Sequence, residues 1–456
     1  MADPRIIIIG AGPAGVRAAQ TLVAAGLRPT VIDESPASGG QIYRRQPAMF
    51  RRSYETLYGF EARRAKALHD AFEALADRID YRPDTLAWNI YGGALHAVRD
   101  GVTAELAYDA LILATGATDR LLPIKGWTLP GCYSLGAAQI AVKAQACAIG
   151  GKVIFLGTGP LLYLVAYQYA KAGVEVAAVL DTSPTSRQVL ALRHMASRPD
   201  VLAKGLYYRA QLTVRRIPVH GGVTPLEIEG GDGVTAVRFR DGGGVERRIA
   251  CDAVGMGFHL RSETQLADLA HCEFVFDEAL QQWAPEADPD GRTSIAGVYV
   301  AGDGARVLGA DAAEISGRLA ALAALGDLGL PAAADQMAGL RRQQQAMETF
   351  RRGLAEAFPW PGQLARDVGD DVLVCRCEAI TAGDLRRACS DKGAPELNRA
   401  KAFVRVGMGR CQGRFCGSAA AEILAEARRE ELPAVGRLRG QAPVKPIPMA
   451  TQRERA

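Results

Sequence analysis

The sequence predicts an α/β fold in which two parallel β-sheets are flanked by helices and followed by a small α-rich module. Two segments predict the sheets, because in each of them an apolar strand runs into a glycine-rich turn and then a helix. Four clustered cysteines near the C-terminal end predict the module. The chain has 456 residues, which is room for about three domains.

The composition is that of a globular protein with loops that approach ligands closely. Hydrophobic residues make up 48% of the chain and charged residues 23%, and 50 glycines stand out. The formal net charge of +4 comes from nearly balanced acids and bases, so no basic stripe for nucleic acid is indicated. No apolar run approaches the ~20 residues of a membrane span, and the first strand begins too early for a signal peptide. We therefore expect a cytoplasmic protein without a transmembrane segment.

The first glycine motif predicts a dinucleotide site. The strand Ile6–Ile9 leads into G-x-G-x-x-G at Gly10, Gly12 and Gly15, and a helix follows. These glycines allow a tight turn, close approach of a pyrophosphate and close packing of helix on strand, while the helix N-terminus attracts phosphate. Asp33 lies where an acid is expected to bind the ribose. The predicted nucleotide-binding residues of this Rossmann-like unit are Gly10, Gly12, Pro13, Ala14, Gly15, Asp33 and Glu34.

Two downstream segments indicate that the first site binds FAD. Tyr108–Gly116 and Gly297–Gly304 are strands that end in small-residue turns, and they resemble two signatures of the flavoprotein family that includes thioredoxin reductase. In that family the aspartate of the Gly-Asp pair binds the ribityl chain, a role that the resemblance gives to Asp303. The loop Gly39–Gln41 is similar to one that the family places near the flavin. The resemblance adds the candidate residues Gly40, Gln41, Thr115, Gly116, Gly302 and Asp303.

A second, degraded glycine motif lies in a unit inserted into the first. Gly157 and Gly159 follow an apolar strand and are its candidate nucleotide-binding residues, but Leu162 replaces the third glycine. We expect this side chain to push the helix away from the strand. In the two-domain reductases the inserted unit holds NAD(P)H. Here NAD(P), another nucleotide such as ATP and a purely structural role all stay open.

The sequence offers no separate catalytic group. Cys132 and Cys147 do not form the C-x-x-C dithiol of thioredoxin reductase, and we expect both to be buried, inert thiols. The six histidines are isolated from one another, so none is assigned to catalysis. No catalytic residue is predicted.

The four C-terminal cysteines predict a metal centre. After a break at Pro359–Gly362, Cys375 and Cys377 form C-x-C, and Cys411 and Cys416 form C-x-x-x-x-C in a glycine-bounded loop. Four thiolates with free backbone N–H groups and nearby arginines suit a [2Fe-2S] cluster. Zinc and unliganded thiols stay open as alternatives, but C-x-C is less usual for zinc, and a redox-silent ion has less purpose beside a flavin. The arginines are Arg376, Arg410 and Arg414.

A flavin fold followed by C-x-C and, about thirty residues later, C-x-x-x-x-C resembles one family. The chain is similar to the flavoprotein (alpha-type) subunit of opine oxidases, of hydrogen cyanide synthase and of dye-linked proline and hydroxyproline dehydrogenases. Their C-terminal module is similar to the bacterioferritin-associated ferredoxin fold. The match covers nearly the whole chain and includes Gly39–Arg44, Pro123–Gly131 and Pro443–Pro448.

This resemblance implies an electron-transfer role. In the resembled complexes the amine is oxidised on a separate FAD-dependent subunit with an amino-acid-oxidase-like fold. The present chain would relay electrons between that partner and an acceptor through [2Fe-2S] and FAD. The complex would be an oxidoreductase acting on CH–NH or CH–NH₂ groups of an opine, proline or hydroxyproline. A self-contained NAD(P)H-dependent FAD/[2Fe-2S] reductase stays open as the alternative, as does an additional FMN at a subunit interface.

The predicted organisation is a disulfide-reductase-like pair of Rossmann domains with an appended ferredoxin-like module. We expect an FAD-binding domain at 1–122 and 290–330, an inserted NAD-type domain at 123–289, a helical linker at 331–371, a [2Fe-2S] module at 372–432 and a Pro- and Arg-rich tail at 433–456. In the module, Thr381–Asp384 predicts a capping box, and Ser418 is predicted to cap a second helix. The tail is either disordered or, as we prefer, lies extended along the partner subunit.

Overall fold

The computed structural model describes residues 3–453, so 1–2 and the end of the predicted tail, 454–456, lie outside the described residues. The strands are β1 (Ile6–Ile9), β2 (Thr30–Ile32), β3 (Asp80–Arg82), β4 (Leu86–Tyr91), β5 (Ala94–Arg99), β6 (Val102–Ala107), β7 (Ala110–Leu113), β8 (Ala117–Asp119), β9 (Cys132–Ser134), β10 (Lys152–Thr158), β11 (Glu175–Asp181), β12 (Val219–Gly221), β13 (Thr224–Gly230), β14 (Val234–Arg240), β15 (Glu246–Ala250), β16 (Ala253–Phe258), β17 (Leu260–Ser262), β18 (Phe274–Asp277), β19 (Gln282–Pro285), β20 (Val298–Val300), β21 (Leu373–Cys375), β22 (Ile380–Thr381) and β23 (Gln452–Arg453).

The helices are α1 (Pro13–Ala24), α2 (Tyr54–Tyr58), α3 (Ala62–Glu73), α4 (Leu135–Ala144), α5 (Pro160–Lys171), α6 (Thr185–Leu190), α7 (Leu192–Met195), α8 (Pro199–Val214), α9 (Gln265–Leu269), α10 (Ala310–Asp327), α11 (Ala334–Ala357), α12 (Gln363–Arg366), α13 (Ala382–Ser390), α14 (Leu397–Val404) and α15 (Gly417–Arg428). Short 3₁₀ turns lie at Gly59–Glu61, Ala76–Arg78, Gly302–Gly304 and Leu432–Val435. Among residues 3–453, no helix combines the length and the apolar run that crossing a bilayer requires.

The first sheet consists of five parallel strands in the order β20-β7-β1-β2-β3. Successive residues of β1 face opposite sides of the sheet. Ile6 and Ile8 pack into the core formed with α1 and α10, whereas Ile7 and Ile9 pack into the core formed with β4 and β5. Both faces are therefore covered, which explains an unbroken run of buried isoleucines.

The second sheet is also parallel, in the order β12-β11-β10-β16-β9, and the antiparallel strands β13–β15 form a separate small sheet beside it. β20 joins β7 in the first sheet although the whole second sheet lies between them in sequence. The predicted α/β class with two parallel sheets is confirmed. The exact domain boundaries stay a prediction.

The helical linker packs on the inserted domain. The long helix α11 runs beside α6 and α7, where the Glu356 carboxylate lies 2.9 Å from Nδ1 of His194. A Cβ at Gly353 would stand 2.9 Å from Cγ of Met195, so the helices approach closely. After α11, Phe358 enters the core of the inserted domain.

The C-terminal module shares a continuous hydrophobic core with the inserted domain. Trp127 of that domain donates from Nε1 to the carbonyl of Leu373 at 2.6 Å. The capping box at Thr381–Asp384 is present, since each residue accepts a bond from the other's backbone N–H. Ser418 differs from its prediction: α15 begins at Gly417, so Ser418 lies inside the first turn and does not precede it.

The described part of the tail packs on its own chain, and its predicted contact with a partner subunit stays a prediction. Val444 is buried, and its N–H donates to the carbonyl of Trp88 at 3.1 Å. Lys445 binds the Glu34 carboxylate at 2.6 Å, and β23 pairs in parallel with β6. Burial of an apolar side chain and these bonds hold the segment on the protein. Its Pro- and Arg-rich composition did not indicate these contacts.

Candidate functional site

Two glycines of the first motif, Gly10 and Gly15, stand where no side chain fits. Gly10 has a φ of +106°, and a Cβ there would overlap the carbonyl oxygen of Ala114. A Cβ at Gly15 would overlap the carbonyl oxygen of Gly10. The first turn of α1, which begins at Pro13, therefore lies directly against the end of β1. Its N–H groups have no acceptor within the helix and are available to a phosphate.

Asp33 lies at this motif, as predicted, at the C-terminal end of β2. Its Oδ2 accepts from the N–H of Ala11 at 2.5 Å and its Oδ1 accepts from the N–H of Ser35 at 2.6 Å. Burial raises the pKa of this carboxyl, and the two hydrogen bonds offset only part of that increase. Each oxygen keeps a second lone pair, which a ribose hydroxyl could use. Glu34 is placed elsewhere, because Lys445 of the tail binds it.

The other predicted flavin residues surround the same turn. Gly40 has a φ of +61°, and a Cβ there would lie 2.9 Å from the Cα of Gly12. A Cβ at Gly302 would lie 2.9 Å from that of Ala14. The Gln41 amide oxygen accepts from Arg44 at 2.9 Å. Thus β1, the Gly39–Gln41 loop and the turn after β20 come together, whereas the Gln41 side chain is held by a neighbour within its own loop.

Asp303 has one carboxylate oxygen to spare. Its Oδ1 accepts from the N–H groups of Leu308 and Gly309 at 3.0 and 3.1 Å, and burial raises the pKa of the group. Among residues 3–453, Oδ2 has no hydrogen-bond partner. A free oxygen on a desolvated carboxylate is the observation that a ribityl hydroxyl would satisfy. The crowded glycines and this free oxygen together fit FAD.

Thr115 and Gly116 contact a segment that the sequence did not single out. Thr115 Oγ1 donates to the carbonyl of Glu263 at 2.6 Å, and the N–H of Glu263 donates to the carbonyl of Gly116 at 2.9 Å. Just before it, β17 pairs antiparallel with β8. This connection between the two sheets therefore runs along the edge of the predicted flavin site.

The second glycine motif is arranged differently from the first. Leu162 is fully buried in the core of the inserted domain, with Phe155 and Val165. The helix α5 therefore leaves room for a whole side chain where α1 leaves none for a Cβ. Gly157 still approaches closely, since a Cβ there would overlap the carbonyl oxygen of Gly257 on the neighbouring strand.

The acid of the second motif is already satisfied by protein groups. Asp181 is fully buried at the end of β11 and accepts from Oη of Tyr163 at 2.6 Å and from the N–H of Ser183 at 2.8 Å. A third bond comes from Nε2 of Gln188 at 3.0 Å. Burial raises the pKa of this carboxyl against those bonds. The position that would receive a ribose is therefore enclosed by the domain's own side chains.

The turn of the second motif is covered as well. The ring of His259 lies 3.3 Å from where a Cβ of Gly159 would stand. Its Nε2 is 2.6 Å from the carbonyl of Phe358 in the linker and must be the donor. Burial first, and then the charge of Arg120, lower the pKa of His259 to about 4, so the imidazole is neutral at pH 7. A neutral imidazole therefore lies beside the turn of the second motif.

The four predicted cysteine ligands lie in one region. Cys375 and Cys416 are buried, Cys411 is half-buried and Cys377 is exposed. These thiols perturb one another's pKa, Cys375 with Cys416, Cys416 with Cys411 and Cys411 with Cys377, so they are neighbours. A Cβ at Gly409 would overlap that of Cys377, so the second loop closes tightly on the first. Within residues 3–453, no three His, Cys, Asp or Glu side chains converge as one metal ion would require.

Two of these thiols are prepared to ionise. The pKa of Cys375 is lowered to about 6, mainly by the hydrogen bond from Cys416 and then by backbone N–H groups that include that of Gly407. The pKa of Cys411 is lowered to about 5 by Cys416 and by the N–H groups of Phe415 and Gly413. The neighbouring thiols of Cys375 and Cys411, and then burial, raise the pKa of Cys416. Burial raises the pKa of Cys377.

A line of neighbouring thiol pairs with backbone donors fits a cluster of two irons. Each iron of a [2Fe-2S] cluster can take two thiolates, whereas zinc needs all four around one point. Arg376 lies over the rings of Trp127 and Phe415, at 5.1 and 5.7 Å from their centroids. Arg410 is exposed, and Arg414 is buried in an ion pair with Glu263. Arg376 and Arg410 therefore supply positive charge near the loop, whereas the charge of Arg414 is offset by Glu263.

The remaining cysteines and histidines have structural surroundings. Cys132 is half-buried, and burial raises the pKa of its thiol to about 12, whereas Cys147 is exposed, so the prediction that both are buried is wrong for Cys147. His69 is buried and bonded at both ring nitrogens, to Tyr54 Oη and the carbonyl of Tyr43, each at 2.9 Å.

Sequence reasoning missed the residues that join the parts. Glu263 and His259 lie on the connection between the sheets, and Arg120 stacks on the ring of Trp360 at 3.3 Å while donating to the carbonyl of Leu280 at 2.7 Å. Burial lowers the pKa of Arg120 to about 9. No local pattern marks these residues, because each acts on a segment far away in sequence.

Comparisons with known proteins follow the same division of the chain. A family model described as "Pyridine nucleotide-disulphide oxidoreductase" matches residues 4–323, and one described as "BFD-like [2Fe-2S] binding domain" matches residues 373–426. An opine oxidase subunit of Agrobacterium tumefaciens (strain Ach5) is 40% identical over 98% of this chain and 90% of its own length. The hydrogen cyanide synthase subunit HcnB of Pseudomonas protegens is 31% identical over 97% of this chain and 96% of its own.

Solved structures show the same fold. The L-proline dehydrogenase from P. horikoshii matches 98% of this chain and 79% of its own chain, with a TM-score of 0.71 and 19% identity. The T. acidophilum thioredoxin reductase matches 72% of this chain and 99% of its own, with a TM-score of 0.52 and 22% identity. The second match covers a smaller share of this chain, as expected of a fold that lacks the C-terminal module.

Proposed function

The chain belongs to the pyridine nucleotide-disulphide oxidoreductase family and, within it, to the family of the opine oxidase subunits that it matches, and on this basis we propose that it is an electron-transfer flavoprotein subunit. It is an oxidoreductase with a flavoprotein fold and a [2Fe-2S]-binding module. The complex that it serves oxidises the CH–NH or CH–NH₂ group of an opine, proline or hydroxyproline. The amine is oxidised on an FAD-dependent, amino-acid-oxidase-like partner in the cytoplasm.

One observation carries the proposal: of the two nucleotide motifs, only the first is open to a ligand. The first has bare glycines and a free oxygen on Asp303. In the second, Asp181 is fully buried and bonded to Tyr163 and Ser183, and His259 lies beside the turn. A reductase of this fold takes hydride from NAD(P)H in the second domain, so a filled site leaves the chain without that electron source. Electrons must then come from, or go to, another protein of the complex.

The chain's own residues would bind and orient the cofactors. We assign the FAD pyrophosphate to Gly12 and the first turn of α1, a ribose to Asp33 and the ribityl chain to Asp303. We assign the cluster ligands to Cys375, Cys377, Cys411 and Cys416. When bound, the two groups supply an exchange between paired electrons on flavin and single electrons on iron. Backbone N–H groups around Cys375 and Cys411 would stabilise the negative charge of the thiolates and sulfides.

The alternative, a self-contained NAD(P)H-dependent reductase, needs space that the structure fills. Opening the second site would require Tyr163 and Gln188 to leave Asp181, and His259 to leave the carbonyl of Phe358. Each step breaks a buried hydrogen bond without a replacement. The proposal needs neither a nucleotide in the inserted domain nor an FMN between subunits. Cofactor analysis of the purified complex measures whether either is present.

The experiment is co-expression with the amino-acid-oxidase-like partner, followed by purification through a tag on the present chain. We expect the partner to co-purify and the complex to contain FAD and two irons per present chain. Under anaerobic conditions an opine, proline or hydroxyproline should bleach the flavin of the complex and leave the isolated chain unchanged. Bleaching of the isolated chain by those amines, or failure of any partner to co-purify, would contradict the proposal.

A further inference from the structure

We propose that Arg414 and Glu263 are a positioning pair that ties the cysteine loop to the flavin-binding turn, so that the cluster and FAD strengthen each other's binding. The inference rests on the proposed function, because it takes FAD and the cluster as the ligands. It differs from the expectation for two independent domains, in which loss of one cofactor would leave the affinity for the other unchanged.

Arg414 is a junction between three segments. Its guanidinium holds the Glu263 carboxylate with two bonds, at 2.6 and 3.1 Å. Only 8% of its side chain and 12% of that of Glu263 are exposed. The same group donates to the carbonyls of Cys411, at 3.2 Å, and Val444, at 2.7 Å. A planar, five-donor guanidinium suits this geometry, which an ammonium cannot reproduce.

Glu263 carries the connection on to the flavin site through its backbone. Its carbonyl accepts from Thr115 Oγ1 and its N–H donates to the carbonyl of Gly116. A Cβ at Gly304 would lie 2.6 Å from Thr115 Oγ1, so this turn also touches the Gly-Asp segment that holds Asp303. One residue therefore contacts the cysteine loop with its side chain and the flavin turn with its main chain.

Neighbours on the same segment repeat the contact with the cysteine loop. Nε2 of Gln265 donates to the carbonyl of Gln412 at 2.6 Å, and Nη1 of Arg261 donates to the carbonyl of Arg414 at 3.2 Å. The side chains of residues 261, 263 and 265, which run from β17 to the start of α9, thus hold the loop between Cys411 and Cys416. A loop fixed at three points presents its thiols and N–H groups in one arrangement.

The tail closes the connection from the other side. Val444, whose carbonyl accepts from Arg414, donates its N–H to the carbonyl of Trp88 on β4, and the next residue, Lys445, binds Glu34 at the end of β2. The Arg414 guanidinium therefore reaches the flavin domain by two routes, through Glu263 and through the tail.

Physical linkage between the sites follows from this arrangement. Binding of a cluster fixes the Cys411–Cys416 loop, and the fixed loop places Arg414 against Glu263. Glu263 in turn fixes the turn at Thr115 and Gly116. Binding of FAD then costs less conformational entropy, because this turn is already ordered. Thermodynamic reciprocity requires that FAD strengthen cluster retention by the same factor.

The test compares FAD affinity with and without the cluster, in the native chain and in the double variant Glu263→Gln/Arg414→Gln. The double variant removes both charges together, so no unpaired charge stays buried, and two amides can still bond. Cluster-free forms carry Cys377→Ser, which lies outside the junction. The flavin is removed, FAD is titrated back while its fluorescence is followed, and cluster content is measured by EPR and iron analysis.

We expect loss of the cluster to weaken FAD binding in the native chain by on the order of fivefold. In the double variant this ratio should fall most of the way to one, because only the remaining bonds of the segment, such as that from Gln265 to Gln412, still hold the loop. A purely structural role would lower the affinity equally in both forms. The exposed pair in the same module, Arg428→Gln/Glu430→Gln, is the control and should keep the native ratio.

Two results would overturn the inference: equal FAD affinity of the native chain with and without the cluster, or a native ratio in the double variant. Should the double variant not fold, Gln265→Ala removes only the bond to Gln412 and should lower the ratio partway, whereas an unchanged ratio counts against the inference. A native chain that binds neither FAD nor iron would instead contradict the proposed function.

Discussion

The two glycine motifs share one fold and differ in what occupies the space above the turn. At the first, α1 lies so close to β1 that position 15 accepts no Cβ, and the acid Asp33 is bonded only to backbone N–H groups. At the second, Leu162 fills the gap between helix and strand, and the acid Asp181 is enclosed by Tyr163 and Gln188.

This difference teaches that two Rossmann units of one chain can present different groups at their glycine turns. The inserted domain keeps its sheet because the sheet supports other contacts: its core continues into the cysteine module, and its surface receives the helix α11. Leu162 of the glycine motif there packs in the domain core. Ligand binding must therefore be judged from the space and the free polar atoms at each motif.

The largest expected effect is at Gly15. Gly15→Ala places a methyl group on the carbonyl oxygen of Gly10, so α1 must move and the pyrophosphate site with it. We expect FAD affinity to fall on the order of 100-fold, measured by flavin fluorescence titration. Gly205→Ala, on an exposed helical position with no atom near its Cβ, is the control and should bind FAD normally. Tight FAD binding by Gly15→Ala would break the distinction between the motifs.

The second expected effect is loss of the cluster without loss of FAD. Cys411→Ser should remove the visible and EPR signals of the cluster completely, because a [2Fe-2S] centre needs all four thiolates. FAD should still bind at saturating concentration, because the first motif is intact. Cys389→Ser, a half-buried thiol on α13 outside the ligand set, is the control. Retention of a normal cluster by Cys411→Ser would remove that residue from the site.

The third prediction restores a glycine to the second motif. Leu162→Gly removes a fully buried side chain and should cost about 3–5 kcal/mol of stability, measured by urea unfolding. It should gain no NADH binding, because Asp181 and Gly159 stay covered. Leu206→Gly on α8, where 56% of the side chain is exposed, should cost only about 1 kcal/mol. Appearance of NADH binding in Leu162→Gly would show that the leucine alone closes the site.

The smallest expected effect is a pH dependence at His259. Its pKa in the folded state is lowered to about 4, so between that value and an unfolded value near 6.5 the unfolded chain binds the extra proton. Stability is therefore fully present above pH 6.5 and is lost as pH falls towards 4, by up to about 3 kcal/mol.

His259→Gln should remove this part of the acid sensitivity. Urea unfolding between pH 7 and 4.5, in the cluster-free Cys411→Ser background, measures it. His271→Gln, on an exposed turn, is the control and should behave as the background does. An unchanged pH profile in His259→Gln would mean that the imidazole is not held neutral over Gly159.

Local patterns explain what could be predicted from the sequence. G-x-G-x-x-G, Asp33 and the cysteine spacings each encode a turn or a ligand set within a few residues, so they mark sites without reference to the rest of the chain. Leu162 in place of the third glycine is visible in the sequence, and the structure places its side chain in the domain core, whereas nucleotide binding there stays a prediction. The capping box at Thr381 is another short-range signal that the structure confirms.

Contacts between distant segments explain what could not be predicted. Arg414 meets Glu263 across 151 positions of sequence, and Lys445 meets Glu34 across 411. Nothing near Glu34 indicates that a tail lysine will bind it, so the sequence favoured a ribose. The covering of Gly159 by His259 likewise depends on the linker carbonyl of Phe358, which no motif contains.

The most direct test of the central claim is an anaerobic titration of the purified chain, loaded with FAD and cluster, with NADH and NADPH. Flavin absorbance and the EPR signal of the reduced cluster are followed together, and dithionite serves as the positive control. With the second site filled by Asp181, His259 and their partners, neither nucleotide should bleach the flavin, whereas dithionite should reduce both centres. Rapid bleaching by NADH or NADPH would contradict the claim and favour a self-contained reductase.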